Sequence, residues 1–335
     1  MDDLPALPIL EVSSLVHSLS LTDDLPAQVS RLLGLPEELI VNTLSRINSN
    51  SRLLALPEEL TVNILSRLNS DDLARCRAVS KAFPDICTKV RSVNLLCSLD
   101  RYTNSGQPIT PFKEIVTRDV DLILRTSDVD SISIGVEERA NHQPLDIELD
   151  DLHLTEVSFV DPLLKKVSEG LASLSISDYR MHSYRQCSGV LFLISMFCNN
   201  LRKLVLKNAW LTTYRLDPMP KLNSLTLAFV RLDDQDLSTV NRCCPSLRIL
   251  ELIMVEGLEK PQINLLHLRS CRYVGFSSAT MPLIHAPNLT GIEIGFGPQI
   301  DKIISRKIDL RPEVLSYPES VPFTFARNYW SRYGV

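Results

Sequence analysis

The residues best suited to nucleophilic, redox or metal chemistry are eight cysteines and six histidines. The cysteines form no C-x-x-C pair, and the vicinal pair Cys243–Cys244 has no cluster of histidine or cysteine near it in the sequence. Because zinc and redox sites need such clusters, we expect buried thiols, with Cys243–Cys244 as the apolar end of a helix. The histidines are dispersed along the chain, at positions 17, 142, 153, 182, 267 and 285.

Catalytic motifs are missing from the sequence. There is no H-E-x-x-H, no G-x-S-x-G and no phosphate loop, and the eleven glycines form no phosphate-cradling cluster. The segment 137–151 holds six acidic residues against one arginine and a proline, which favours a solvated loop over a metal site. We therefore expect a chain that is not an enzyme, with no catalytic residue, no cofactor and no metal.

Composition and charge restrict the class of protein further. The 335 residues are 44% hydrophobic and 22% charged, which is typical of a globular chain with a large core or two unequal domains. A net charge of −5 argues against nucleic-acid and membrane partners. The longest apolar run, Val190–Cys198, is about half of the roughly 20 residues that a membrane span needs. The start Met1-Asp2-Asp3 lacks a secretory signal, so we expect a location in the cytoplasm and/or nucleus.

Leucine is the most over-represented residue, with 55 copies, and much of this excess follows the pattern apolar-x-x-apolar-x-apolar. The mean interval between the starts of these units is about 23 residues, within the range of leucine-rich repeats. Each unit predicts a short strand that buries its apolar side chains only when neighbouring units stack. The predicted units are Val129/Ile132/Ile134, Leu154/Val157/Phe159, Leu171/Leu174/Ile176, Leu201/Leu204/Leu206, Leu222/Leu225/Leu227, Leu247/Leu250/Leu252, Ile263/Leu266/Leu268 and Leu289/Ile292/Ile294.

Helices are predicted between some of these strands. Apolar spacing indicates helices over 188–198 and 235–243, the second with Asp233 or Asp234 as its N-cap. A third amphipathic helix is predicted over 110–126, capped by Thr110 with Pro111 at its first position. Together the pattern predicts an α/β fold, an irregular solenoid with parallel strands on the concave face and helices or loops outside.

The N-terminal quarter contains a different repetition. LPEELIVNTLSRINS at 35–49 and LPEELTVNILSRLNS at 56–70 agree at twelve of fifteen positions. Only the second copy continues into a longer helical pattern, so the first is predicted to be an extra amphipathic helix or a transient alternative to the second. The predicted divisions are a leader at 1–34, a partial duplicate at 35–55, a three-helix segment at 56–98, a linker with a helix at 99–128, repeats at 129–310 and a divergent tail at 311–335, which either caps the repeats or lies free of them.

The three-helix segment has more apolar surface than it can bury. Leu60, Ile64 and Leu68 follow one side of the first helix, while Val62 and Leu65 lie elsewhere, so apolar positions span about 200° of the helical wheel. About 40 residues seldom form a stable domain alone. The pattern is consistent with either an external partner or docking against the adjacent repeats as their N-terminal cap.

This segment resembles the F-box, and with the repeats that follow it the chain resembles a plant-type F-box/leucine-rich-repeat protein over roughly 56–295. The resemblance implies a three-helix F-box that binds a Skp-type adaptor and, through it, a cullin and a RING subunit of an SCF ubiquitin ligase. Pro84 departs from the family pattern, because a proline lacks the amide hydrogen that a helix needs. The matching residues are Leu56, Pro57, Leu60, Ile64, Leu65, Leu68, Asp72, Leu73, Arg77, Val79, Ser80, Lys81 and Phe83.

Two sets of site residues follow from the resemblance. The adaptor-facing or F-box core set, whose two roles the sequence does not separate, is Leu56, Pro57, Leu60, Ile64, Leu65, Leu68, Leu73 and Val79. The repeats of this family hold a protein substrate, unknown here, for ubiquitin transfer by a separate enzyme. Its predicted binding surface is the outward side of the strands: Lys203, Val205, Lys207, Ser224, Thr226, Glu251, Ile253, His267 and Arg269. The alternative is a repeat scaffold or small-molecule-binding module without ligase function.

Deletion of residues 1–55 is expected to leave adaptor binding intact, because the partial first copy lacks the second and third helices. Co-purification of the truncated and full chains with a Skp-type adaptor measures this. Complete loss of the adaptor on truncation would contradict the prediction.

Overall fold

The computed structural model describes residues 62, 65–66, 89–99, 102, 110–125, 128–137, 150–179, 186–276 and 281–296, together with a short strand at 308–309. The predicted leader, the partial duplicate, most of the three-helix segment and nearly all of the tail lie outside these residues. Most of the repeat region lies within the described residues.

One nine-stranded sheet runs through the described part of the chain. Every neighbouring pair is parallel except the last, β12–β13, which is antiparallel. The spatial order is β1-β2-β3-β5-β7-β8-β10-β12-β13. The strands are β1 Ser92–Cys97, β2 Ser131–Val136, β3 Ser173–Ser177, β5 Lys203–Lys207, β7 Ser224–Ala228, β8 Ile249–Ile253, β10 Ser270–Gly275, β12 Gly291–Phe296 and β13 Ile308–Asp309. This architecture confirms the predicted α/β fold with a parallel sheet.

Outside this sheet, the described part of the chain includes four shorter strands, four α-helices and a short 3-10 helix, Asp150–Leu152. The short strands pair in parallel as β4 with β6 and β9 with β11. Their bounds are β4 Cys187–Ser188, β6 Trp210–Leu211, β9 Gln262–Asn264 and β11 Leu283–His285, and the helices are α1 Phe112–Leu124, α2 Val157–Val167, α3 Val190–Phe197 and α4 Asp234–Cys243. The last two helices confirm the predictions for 188–198 and 235–243.

The core consists of two rows of apolar side chains that cross the sheet. Alternate residues of a strand point to opposite faces, so an apolar-x-apolar strand places both apolar groups on one side. Leu204, Leu225 and Leu250 are register partners on successive strands, and each is at most 2% exposed. Burial of each leucine contributes about 1.5 to 3 kcal/mol, and a strand without neighbours would leave the same side chains in water.

Two of the predicted units use the wrong residues. In Ile263/Leu266/Leu268, Leu266 is 67% exposed in a turn, and only Leu268 belongs to the repeat that enters the main sheet. The buried residues of β10 are Cys271 and Tyr273, so the unit is Leu268/Cys271/Tyr273. The sequence pattern missed it because a cysteine and a tyrosine occupy the two leucine positions. With this correction, the units starting at 247, 268 and 289 follow one another at intervals of 21 residues.

The unit predicted at Leu154/Val157/Phe159 is a helix rather than a strand. Val157 begins α2 and is 45% exposed, whereas Phe159, Val160, Leu163, Leu164 and Val167 are buried. That spacing follows the 3.6-residue period of a helix. The helical period over eleven residues prevails over a three-residue coincidence with the repeat pattern.

The first strand lies where the prediction placed the end of the three-helix segment. Val90 is 2% exposed, and β1 pairs with β2 along its whole length. The sheet therefore begins at Ser92, inside the predicted segment 56–98. The side-chain hydroxyl of Ser92 donates to the carbonyl of Ser66, 3.0 Å away, which connects the upstream segment to the first strand.

The N-terminus of α1 is bound by a side chain from another element. Thr110 was predicted as the cap, but Pro111 occupies the N-cap position and makes no side-chain cap bond. Instead, the carboxylate of Asp151 accepts hydrogen bonds from the backbone amides of Phe112 and Lys113, at 2.6 and 3.0 Å. The predicted acidic loop at 137–151 thus ends in a structural residue, and a carboxylate is favourable at a helix N-terminus.

Helix α4 carries its predicted cap. The side chain of Asp233 accepts a hydrogen bond from the backbone amide of Asp236 at 2.8 Å, and Asp236 reciprocates in a capping box. At the other end, Cys243 and Cys244 are 4% and 2% exposed, as expected for the apolar end of a helix. Sequence and structure agree where local caps decide the ends of an element.

A buried carboxylate at the end of β3 holds the loop that precedes α2. Asp178 is fully buried and accepts hydrogen bonds from the backbone amides of Leu154 at 3.0 Å, Thr155 at 3.1 Å and Tyr179 at 2.9 Å. The hydroxyl of Thr155 also donates to it. Buried amides without a partner are costly, so one carboxylate determines the path of this loop.

Replacement of Asp178 by alanine is expected to lower the free energy of unfolding by about 3 kcal/mol, because three buried amides lose their acceptor. Urea denaturation followed by circular dichroism measures the change. The matched control is the exposed Asp217→Ala, expected to change stability by at most about 0.5 kcal/mol. Equal stabilities of the two variants would contradict the assignment.

Candidate functional site

The side of the sheet opposite the core, hereafter the open face, carries the outward side chains of the strands. Its side chains come from the strand residues that alternate with the buried ones, and the parallel register aligns them in rows. The middle row runs through all eight parallel strands: Asn94, Ser133, Ser175, Val205, Thr226, Glu251, Arg272 and Glu293. No helix of the described chain belongs to this face, because the helices contribute to the core on the other side.

The two halves of the open face differ in chemistry. Strands β1 to β3 present mainly small hydroxyl groups, with Ser131 and Ser133 on β2 and Ser173, Ser175 and Ser177 on β3. Lys203 and Lys207 on β5, Glu251 on β8, Arg272 on β10 and Glu293 on β12 bring charge to the second half. The first half is therefore uncharged, with Leu96 of β1 as its large exposed side chain, while the second offers charges for recognition.

Neighbouring charges of the middle row compensate one another. The hydroxyl of Thr226 donates to Oε2 of Glu251 at 2.8 Å. Nε of Arg272 lies 3.3 Å from Oε1 of Glu293, with both side chains about one-third exposed. A partly exposed pair of this kind contributes about 0 to 1 kcal/mol. The row is thus largely polar, with the charges of Arg272 and Glu293 paired and Glu251 bound to a neutral hydroxyl.

Seven of the nine predicted substrate-contact residues lie on the open face. Lys203 and Lys207 are exposed, and Thr226 is only 9% exposed. Val205, Ser224, Glu251 and Ile253 are half-buried or at the margin of burial. The residues of β5, β7 and β8 therefore lie, as predicted, on the outward side of their strands.

The other two predicted contact residues, His267 and Arg269, are not on a strand of the sheet. His267 lies in a turn and Arg269 immediately before β10, and both are exposed. They were misplaced because the unit at 263–268 was assigned to the wrong residues. The corresponding open-face residue of β10 is Arg272, which the sequence pattern would have found had Cys271 and Tyr273 been accepted at leucine positions.

The adaptor-facing or core set is described at one of its eight positions. Leu65 is fully buried, and the amide of Ser66 donates to the carbonyl of Val62 at 2.8 Å, a helical bond. Burial assigns Leu65 to the interior of the chain. The remaining positions, Leu56, Pro57, Leu60, Ile64, Leu68, Leu73 and Val79, lie outside the described residues.

Four of the described thiols have a raised pKa, which disfavours the thiolate that nucleophilic chemistry needs. Burial raises the pKa of Cys198, Cys244 and Cys271 to about 12, so these thiols are protonated at neutral pH. Cys187 is exposed, contrary to the expectation of buried thiols, and partial burial together with the nearby Asp236 raises its pKa as well. Among the described residues, no group of three or more His, Cys, Asp or Glu side chains is arranged to hold a metal ion.

A polar cleft of about 360 Å³ lies beside the N-terminal end of α4. Tyr214, Arg215 and Arg242 are among its lining residues. Asp236 also lines it, but that carboxylate already accepts hydrogen bonds from the amide and hydroxyl of Thr213, at 3.0 and 2.6 Å. Small-molecule sites are mostly apolar, so this cleft does not favour a small-molecule-binding module.

In the described part of the chain, no helix is long and apolar enough to span a membrane.

Comparison with known proteins finds similarity in both parts of the chain. The F-box-like family model matches residues 53–92. A second model, described as "FBD-associated F-box protein At5g56370, LRR repeats", matches residues 148–300. The F-box/LRR-repeat protein At4g29420 of Arabidopsis thaliana is 44% identical over 266 residues, which cover 78% of this chain and 54% of the relative. The chain thus spans about half the length of the curated relative that it matches.

Proposed function

The chain is a plant-type F-box/leucine-rich-repeat protein, and we propose that it is the substrate-recognition subunit of an SCF-type ubiquitin ligase. In this role the F-box binds a Skp-type adaptor, which brings a cullin and a RING subunit, and the repeats bind a protein substrate. The observation that carries the proposal is the combination of an F-box-like segment with a parallel sheet whose open face is left uncovered by the described helices. Neither nucleic acid nor membrane is assigned as a partner, and the proposed location is the cytoplasm and/or nucleus.

The adaptor surface is proposed on the first F-box helix and the two that follow it. Because Leu65 is fully buried within the chain, we assign it to the F-box core rather than to the adaptor contact. Leu60, Ile64 and Leu68 recur every four residues on another side of the same helix. We assign this side to the adaptor, together with Leu56, Pro57, Leu73 and Val79.

The substrate surface is proposed on the open face of strands β5 to β10. Lys203, Val205, Lys207, Ser224, Thr226, Glu251 and Ile253 are retained as contacts, and Arg272 is added to them. A surface formed by parallel strands is rigid because each strand is held on both sides by its neighbours. Such a surface binds a folded or extended protein without first having to become ordered.

The chain is proposed to hold the substrate while another subunit performs the transfer of ubiquitin. Thioester transfer would need a thiolate, and three of the described thiols, with pKa values raised to about 12 by burial, stay protonated at neutral pH. The alternative function, a repeat scaffold without a role in a ligase, makes no use of the F-box-like segment. Adaptor binding therefore separates the two functions.

The double variant Leu60→Asp/Ile64→Asp is expected to weaken binding to a purified Skp-type adaptor by about a hundredfold or more. Each buried aliphatic side chain contributes about 1.5 to 3 kcal/mol, and each carboxylate adds a desolvation cost. Isothermal titration calorimetry of the full chain measures the affinity.

The matched control for this experiment is Leu266→Asp/Leu283→Asp, which changes two exposed leucines of the repeats, 67% and 50% exposed. This control is expected to bind the adaptor as the wild type does, and circular dichroism checks that both variants fold. Unchanged adaptor affinity of a folded Leu60→Asp/Ile64→Asp variant, or no adaptor binding by the wild type, would favour the scaffold without ligase function.

A further inference from the structure

Four adjacent repeats begin their main strands with closely similar blocks of residues. Each block has a buried leucine at its second position, and the other residues are polar except Ile249: NLRK at 200–203, KLNS at 221–224, SLRI at 246–249 and HLRS at 267–270. Six of these sixteen residues are lysine, arginine or histidine, and none is acidic. In a chain of net charge −5, a stretch of this composition calls for a physical explanation.

The parallel register brings the four blocks side by side. The amide of Asn223 donates to the carbonyl of Arg202 at 2.9 Å, that of Arg248 to Asn223 at 2.8 Å, and that of Arg269 to Arg248 at 2.8 Å. Residues 202, 223, 248 and 269 are therefore successive positions of one row. With neighbouring strands about 4.8 Å apart, the row is about 14 Å long.

The basic side chains of these blocks are all exposed at the edge where the strands begin. This surface is named the basic rim, and its residues are Arg202, Lys203, Lys221, Arg248, His267 and Arg269. Within the described chain, no carboxylate lies within ion-pair distance of any of them. The ammonium of Lys221 instead donates to the side-chain carbonyl of Asn200 at 2.6 Å, which leaves its charge uncompensated.

The rest of the same edge is different. At β2 the corresponding residues include Asp128 and Asp130, and Asp130 lies 3.9 Å from Arg91. The block before β3 is GLAS and the block before β12 is NLTG, and neither contains a charge. The block before β1 is KVRS, and its Arg91 is the partner of Asp130, so the basic residues at that end of the edge are accompanied by acidic ones. A run of basic blocks without acidic residues is found at β5, β7, β8 and β10, next to the open-face residues proposed to contact the substrate.

We infer that the basic rim is a docking surface for an extended acidic segment, rich in Asp or Glu, of the protein substrate. This inference rests on the proposed function and specifies the chemistry of the substrate. Opposite charges across an interface provide specificity and accelerate association. At about 3.4 Å per residue, a strand-like segment of about four residues spans the row.

An apolar contact accompanies the charges. Ile249 is 43% exposed and follows Arg248 on the open face, in one row with Lys203, Ser224 and Ser270. The segment that fits this rim therefore combines carboxylates with one apolar side chain. Single-stranded nucleic acid fits less well, because its binding uses aromatic stacking and the sixteen block residues contain no aromatic side chain.

The test measures fluorescence anisotropy of the full chain with a labelled peptide of glutamate and glycine that has one central leucine. The variant Arg202→Glu/Arg248→Glu/Arg269→Glu is expected to bind it at least about tenfold more weakly, with wild-type binding falling as salt rises. The control Arg125→Glu/Arg242→Glu/Lys260→Glu, with the same change of charge at exposed positions elsewhere, is expected to bind as the wild type does.

Four results would overturn the inference. The first is that a peptide with glutamine in place of glutamate binds the wild type equally well, and the second is that the rim variant binds the glutamate peptide as the wild type does. The third is that only a peptide with phosphoserine in place of glutamate binds. The fourth is that the wild type binds a single-stranded oligonucleotide more tightly than the peptide and the rim variant loses that binding. Calorimetry with the Skp-type adaptor is run on the same proteins. The rim variant is expected to keep the adaptor affinity of the wild type, so failure of the rim and failure of the proposed function are read separately.

Discussion

The rest of the structure depends on the parallel register between successive strands. No single repeat buries its two strand leucines alone, because each leucine lies between the equivalent residues of the two neighbouring strands. Leu225, for example, lies between Leu204 and Leu250. The same register that aligns the buried side chains also aligns the exposed ones. The open face and the basic rim are therefore consequences of core packing rather than separate features, and a change of register in one repeat would displace both.

The sequence predicted the parts of the fold in which local chemistry and the repeat period agree. Strands with leucine or isoleucine at both inward positions, such as Leu204 and Leu206, were placed correctly, and so was the cap of α4 at Asp233. Predictions failed where two periods compete or where other residues fill leucine positions. The helix at Val157–Val167 contains a chance repeat pattern, and β10 buries Cys271 and Tyr273. Contacts between distant segments, such as Asp151 with the start of α1, have no local signal.

The sequence predicts that the candidate site lies on the outward side of the strands, but it identifies only some of the site's residues. Alternation within a strand identifies Lys203, Val205 and Lys207 as outward residues from the sequence alone. The row that joins Val205 to Arg272 and Glu293 needs the register, which depends on loops of unequal length. His267 and Arg269 were selected for the wrong strand, and the structure places them beside Arg248 on the basic rim. Their charge, rather than their predicted position on a strand, makes them relevant to binding.

The most direct test of the account is disulfide formation between paired cysteines in the repeats, because the register is its central claim. Residues 248 and 269 are neighbours in one row, and a strand spacing of about 4.8 Å suits a disulfide. We predict that Arg248→Cys/Arg269→Cys forms this disulfide under mild oxidation, as identified by peptide mass spectrometry, and that Arg248→Cys/Asn264→Cys does not. Efficient cross-linking of residue 248 to residue 264, with none to residue 269, would show that the Ile263/Leu266/Leu268 unit pairs with β8. It would contradict the register in which residue 269 is the neighbour of residue 248.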